Sequence, residues 1–145
     1  MARPKNFHEL IVWQKAMQLA KQAYGLAGIL PRKEAFGLIA QIQRAAVSVP
    51  SNIAEGHGRL TDLQFRHFLG NARGSLNELQ TQIELAEELG YLKGERTQAF
   101  LEQAAEVARL LNGLITSLTR AHRETCANSA NSASPAKSAS EGNSR

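Results

Sequence analysis

Gln41-Ile42-Gln-Arg44-Ala-Ala46-Val-Ser48-Val49-Pro50-Ser-Asn52-Ile53-Ala-Glu55-Gly56 is the stretch whose reading decides how this chain folds. A proline inside a helix removes one amide donor and pushes against the carbonyl four residues back, here Ala46, at a cost of roughly 3 kcal/mol. The apolar register nevertheless runs through it from Ile42 to Ala46, Val49 and Ile53, in alternating steps of four and three. One Pro-kinked helix accounts for this pattern better than two separate helices. Ala35 and Ile39 extend the same face upstream, and Gly56 and Gly58 close it.

Three more segments carry the same period. In the first, Phe7, Leu10, Trp13, Met17, Ala20, Tyr24 and Ala27 recur behind Asn6, with Glu9 placed for a capping box and Gly28 and Pro31 as terminators. The third opens at Thr61 with Gln64 three residues on. It runs through Phe65, Phe68, Ala72, Leu76, Leu79, Ile83 and Ala86 to Gly90. The fourth runs from about Glu95 to His122 through Phe100, Ala104, Val107, Leu111, Leu114 and Leu118. No strand-like alternation competes with these. The predicted fold is all-α, an up-down-up-down antiparallel four-helix bundle with a Pro-kinked second helix, crossing at about 20°.

The bundle is expected over residues 6–122, and 123–145 as a disordered tail. The tail is built of Ser, Ala and Asn and has no large aliphatic or aromatic residue to offset the entropy of ordering it. A length of 145 residues then leaves one core and no room for a second, cofactor-binding domain. No apolar run reaches the roughly 18 residues of a membrane span. The N-terminus lacks a secretory apolar core, and the single cysteine, Cys126, has no internal disulfide partner. These features lead us to expect a cytoplasmic protein with no membrane partner.

The segment from Gln43 to Gly56 also resembles the hallmark of the 23S rRNA intervening-sequence protein family. These are small bacterial four-helix bundles related to the accessory variability protein (Avd) of diversity-generating retroelements. Phe7-His-Glu-Leu-Ile-Val-Trp-Gln-Lys-Ala16 and Phe68-Leu-Gly-Asn-Ala-Arg-Gly-Ser-Leu-Asn-Glu78, with Leu89-Gly-Tyr91 downstream, look like the same family, so the resemblance spans about residues 6 to 120. It implies a ring-like homopentamer. Through the Avd relatives it implies nucleic acid and a reverse transcriptase as partners of a protein that is not itself an enzyme. The intervening-sequence members are named for genes lying inside inserts in ribosomal RNA genes, which specifies no biochemical activity.

The charges are unevenly spread along the chain. Residues 78–106 hold two basic against seven acidic side chains, whereas every other stretch is net basic, and the total is +4. In an up-down-up-down bundle the N-terminus, the turn between the second and third helices and the C-terminus share one end. That end collects Lys5, Arg59, Arg66, His67, Arg120 and Arg123, the predicted nucleic-acid-binding residues, together with Arg3, His8, His57 and His122. Such a cluster suits phosphate backbones and predicts shape-led, salt-sensitive binding. The alternative is that cations near helix C-termini only complement the dipole. The opposite end gathers Glu84, Glu87, Glu88 and Glu95, partly offset by Arg32, Lys33, Lys93 and Arg96.

On the second helix, Arg44, Ser48, Asn52 and Glu55 line one polar stripe, a candidate interface with another subunit or partner, against the plainer reading of a solvated face. Gly70 and Gly74 inside the third helix each cost roughly 1 kcal/mol against alanine, which suggests close backbone approach within the bundle or between subunits. Pro50 and Gly56 complete the structural motif residues.

No motif commits the chain to catalysis. It lacks a phosphate-cradling loop, a nucleophile elbow and a Glu-x-x-His pair, so neither cofactor nor metal is expected. Glu55, His57, Asp62 and His67 near one turn are the best metal candidates, but a solvated turn explains them as well. Arg3 and His8 match the spacing of helical ribonucleases but straddle Pro4 at a frayed start. A purely structural, protein-interaction scaffold is the remaining alternative.

Overall fold

The computed structural model describes residues 3–133. Within them lie four α-helices: α1 (Ile11–Ala27), α2 (Leu38–His57), α3 (Asp62–Glu88) and α4 (Glu95–Ser132), with short 3-10 turns at Phe7–Glu9 and Arg32–Glu34. No strand occurs among the described residues. The molecule is a four-helix bundle whose helices each pack on their sequence neighbours, while α4 closes on α1.

Cross-helix hydrogen bonds give the register. Arg66 of α3 donates to Thr119 Oγ1 of α4 at 3.2 Å, and Arg73 donates to Asn112 Oδ1 at 3.1 Å. Seven residues forward on α3 thus match seven backward on α4, so the two run antiparallel. At one end Tyr91 donates to Glu34 across the two inter-helix connections. At the other, Arg3 reaches Asp62 and the carbonyls of His57 and Arg59.

The α2 helix runs unbroken through Pro50, which is itself buried. Ile42, Ala46, Val49 and Ile53 are all at most 1% exposed, so the apolar register outweighs the lost amide. The helix starts three residues later than Ala35, because Arg32–Glu34 tightens into a 3-10 turn and Gly37 intervenes with a non-helical backbone. Asn6 likewise caps the 3-10 turn at Phe7–Glu9 rather than α1 itself. Leu10, extended and buried, separates the two. Thr61 accepts from the Gln64 amide and opens α3 as the capping signal predicts. At its far end, Gly90 takes φ +78° and the amides of Gly90 and Tyr91 bond back to Glu87 and Ala86, a Schellman closure.

The first helix departs from its expected face. Met17 and Tyr24 are each 45% exposed, while Val12, Ala16, Leu19, Ala23 and Leu26 form its core side. Both stripes have helical spacing, and the one bearing Val12, Ala16, Leu19, Ala23 and Leu26 is packed.

The tail boundary also moves. Helix α4 continues to Ser132, so residues 123–132, expected to be disordered, are helical, and 134–145 lie outside the described residues. Thr125, Ser129 and Ser132 turn their hydroxyls back onto carbonyls three or four residues earlier, and alanines fill the intervening positions. The α3–α4 register sets Asp62 level with Arg123. The last nine residues of the helix therefore project ~14 Å past the bundle. Every one of these residues is exposed. Truncation after His122 is expected to shift the melting temperature by less than about 2 °C in a circular-dichroism melt, since residues 123–133 are all exposed. A drop of about 8 °C would show that the projection contributes to the fold.

Candidate nucleic-acid interface

Gly56 brings α2 and α3 together at the basic end. A Cβ there would lie 2.6 Å from the Phe68 Cβ and 3.2 Å from the Phe65 carbonyl oxygen, so only glycine allows this crossing. Phe65, 2% exposed, fills the space beneath it. The His57 ring meets the Phe65 ring edge-on at 6.1 Å, and its Nε2 lies within hydrogen-bond distance of the Pro4 carbonyl. From above, the Arg3 guanidinium sits 4.8 Å from the Phe65 ring centroid. It also pairs with Asp62 and donates to the His57 and Arg59 carbonyls. Residues 3–5 thus form a strap that satisfies two carbonyls at the end of α2.

This strap changes the role of Arg3. Its donors are spent inside the molecule, while His8 stacks on Phe7 and bonds Asn6. The two members of the ribonuclease-like spacing therefore engage different partners. The metal candidates are dispersed in the same way: Glu55 pairs with Arg59, Asp62 with Arg3, and His57 with Pro4. Among the described residues no three His, Cys, Asp or Glu side chains converge on a cation-sized site.

The predicted cationic residues occupy this same end. Lys5, Arg59, His67, Arg120 and Arg123 are exposed, and Arg66 is half-buried against α4. Both nearest acids, Glu55 and Asp62, are neutralised in ion pairs, leaving Glu9 and Glu124 as the remaining local carboxylates among the described residues. Arg59 is held on two sides, by Glu55 Oε1 at 2.9 Å and by the Phe68 ring, whose centroid lies 4.6 Å from its guanidinium carbon. Beside it, Arg59, Leu63, Gln64, His67 and Phe68 line a shallow cleft of about 320 Å³.

Arg73 belongs with these residues and was missed by sequence reasoning. Exposed on α3, it repeats the Arg66 contact one heptad further along the α3–α4 edge. The seven-residue spacing of Arg59, Arg66 and Arg73 was the available signal.

The structure divides the polar stripe of α2. Ser48 and Ser75 Oγ atoms are 2.8 Å apart, and Asn52 Nδ2 donates to both the carbonyl and hydroxyl of Ser48. These two stripe residues are half-buried and serve the α2–α3 seam within one chain. Arg44 and Glu55 are exposed. Gly70 and Gly74 also change role: a Cβ at either meets nothing within 4 Å, so neither marks a close approach inside the bundle.

A second surface emerges from the unpacked stripe of α1. Trp13, Met17, Ala20 and Tyr24 face Val47, Pro50, Ser51 and Ala54 of α2 across an open, mainly apolar groove of about 470 Å³. Val47 is 46% exposed there, comparable to Met17 and Tyr24. No helix among the described residues is long and apolar enough to cross a membrane.

With this geometry in hand, the comparisons with known proteins are informative. The family model of the 23S rRNA-intervening sequence protein matches residues 8–113, most of the bundle. A solved structure of a protein with unknown function from the S23 ribosomal protein family of Bacteroides thetaiotaomicron superposes with a TM-score of 0.67 at 24% identity. The alignment covers 72% of this chain and 98% of that one, and the likeness is one of fold. No curated protein matches the chain. The matched segment contains the Pro50 helix, the Gly56 crossing and the whole of α3, and on that basis the chain belongs to the 23S rRNA-intervening sequence protein family.

Proposed function

We propose that this protein is a non-enzymatic, homo-oligomeric four-helix bundle that binds structured RNA or DNA through its basic end. The observation that carries the reading is the neutralisation of Glu55 and Asp62 by Arg59 and Arg3. It leaves Lys5, His67, Arg120 and Arg123 exposed at this end of the bundle, with Arg66 half-buried among them, and little opposing charge. The Arg59 side chain stays 43% exposed despite its partner. Cations arranged on a rigid helical end, without a recognition helix, contact backbone phosphates and release counterions. Affinity for a structured RNA and for duplex DNA, measured by fluorescence anisotropy across a salt series, tests this. The expected result is a log–log slope of about −3 to −5, one unit for roughly each phosphate neutralised. A flat response overturns it.

The α1–α2 groove favours the protein-interaction reading alongside this one. Exposed Met17, Tyr24 and Val47 border this mainly apolar groove around the buried Pro50, a surface suited to cover by another helix. Self-association into a pentamer, as the family resemblance implies, covers this groove, and a reverse transcriptase is the heterologous partner to test by the same resemblance. Light scattering on the parent is expected to return a multiple of the chain mass. Met17→Glu with Val47→Glu is expected to return a folded monomer, because two carboxylates cannot be buried unpaired. An unchanged mass in the double variant assigns the subunit contact elsewhere.

A further inference from the structure

We infer that the cleft beside Arg59 takes an unpaired nucleobase, so that the basic end binds looped or single strands in preference to uniform duplex. This rests on the nucleic-acid reading above and deepens it. The cleft of about 320 Å³ lies at the lower edge of the range for small-ligand sites, suited to one planar ring system.

Its walls supply three kinds of contact that a phosphate backbone does not need. The Arg59 guanidinium carbon already lies over the Phe68 ring, 4.6 Å from its centroid, the group is held by Glu55, and its side chain remains 43% exposed. The group is therefore anchored while its side chain still reaches solvent, where an arginine plane can stack on an unpaired base. Prior immobilisation lowers the entropy lost when a base lands on it. Leu63, 51% exposed, offers an apolar side to the ring. Gln64 lines the same cleft and carries a side-chain amide, donor and acceptor together, of the kind that pairs with a base edge. His67 stands edge-on to Phe68, with ring centroids 5.5 Å apart, and closes the cleft along α3.

A duplex cannot use this cleft, because its bases are stacked and paired. A bulge, loop or single strand can, while its flanking phosphates meet Arg66, Arg120 and Arg123. Ion pairing with Glu55 reduces the worth of Arg59 as a bare phosphate contact, which is why its fixed plane, rather than its charge, directs the assignment.

The experiment uses oligonucleotides of equal length carrying 2-aminopurine at one position, unpaired in a single strand or hairpin loop and paired in a duplex, each as RNA and as DNA. The full-length protein is expected to bind the unpaired forms about tenfold more tightly at matched salt and to change the 2-aminopurine fluorescence. Arg59→Lys keeps the charge and loses the plane; it is expected to remove most of that preference and the fluorescence change, while costing duplex affinity far less. Gln64→Ala is expected to weaken discrimination among bases. Melting curves confirm that both variants fold. Steeply salt-dependent binding with no preference for unpaired bases in either RNA or DNA, or an unchanged fluorescence response in Arg59→Lys, overturns the cleft and leaves the basic end standing. Absence of salt-dependent binding to any of the oligonucleotides overturns both.

Discussion

Gly56→Leu is expected to lower the melting temperature by about 10 °C or more, while Gly74→Leu leaves it unchanged or raises it slightly. The contrast follows from what a side chain would meet. At Gly56 the first added carbon already collides with the Phe68 Cβ and presses on the Phe65 backbone oxygen, neither of which is the free end of a flexible chain. Helices α2 and α3 would have to separate, opening the space that Phe65 now fills. Overpacking of a fitted core costs about 1–3 kcal/mol and occasionally more. A leucine forced between two helix backbones belongs at or above the upper figure. That is a large share of the roughly 5–15 kcal/mol that holds a domain together. At Gly74 nothing lies within 4 Å, and replacing a mid-helix glycine recovers up to about 1 kcal/mol of helix propensity. Circular-dichroism melts decide the pair. A Gly56→Leu protein melting within about 2 °C of the parent would show that the crossing has slack. If Gly74→Leu keeps its melting temperature but loses oligomer mass in light scattering, the exposed glycine is an inter-subunit contact.

Reversing Arg66, Arg120 and Arg123 to glutamate is expected to reduce nucleic-acid affinity about 100-fold or more at ~50 mM salt and to flatten the salt slope by about three units. Removing three cations abolishes their counterion release, and the introduced carboxylates repel the phosphates that remain in reach. Near Thr119, α3 and α4 lose one side-chain hydrogen bond, a change of about 1 kcal/mol that leaves the bundle folded. The matched control is Arg32→Glu with Lys33→Glu and Lys93→Glu at the opposite end, likewise three charge reversals, where Glu84, Glu87 and Glu88 already dominate. That variant alters net charge in the same direction but is expected to change affinity less than about threefold. Equal losses from the two ends, in anisotropy titrations, would mean that only total charge matters and that no interface exists.

Much of this architecture was legible in the residues, and the exceptions have physical causes. The core faces of α3 and α4 follow their periodicity closely, because each has one apolar stripe and a polar remainder. Helix α1 does not, since it carries two: Val12–Ala16–Leu19–Ala23–Leu26 and Trp13–Met17–Ala20–Tyr24 both recur at helical spacing, and period alone does not choose between them. The larger residues lie on the outer stripe, so a reading guided by bulk selects the wrong side. Glycine roles were similarly ambiguous. Gly70 and Gly74 sit in the helix interior where a cost invites explanation, whereas the contact that requires glycine is at Gly56, beside a helix end. Ser48 and Asn52 looked like a surface because polar residues usually are one; Asn52 bonds Ser48, whose partner Ser75 lies 27 positions away and only the fold reveals it. Charge segregation, by contrast, followed directly from helix order, since connectivity alone determines which ends coincide.

The strap over Phe65 has a consequence in time. Arg3 bonds residues 54, 56 and 59 positions further along, at His57, Arg59 and Asp62. During synthesis these partners emerge well after α1 has been made, and closing so long a loop is slow compared with zipping a helix. The first described residue of the chain therefore waits for its site. The basic end reaches its final electrostatic form only once Asp62, at the start of α3, has left the ribosome. Birth order and assembly order run opposite to each other at this end of the molecule.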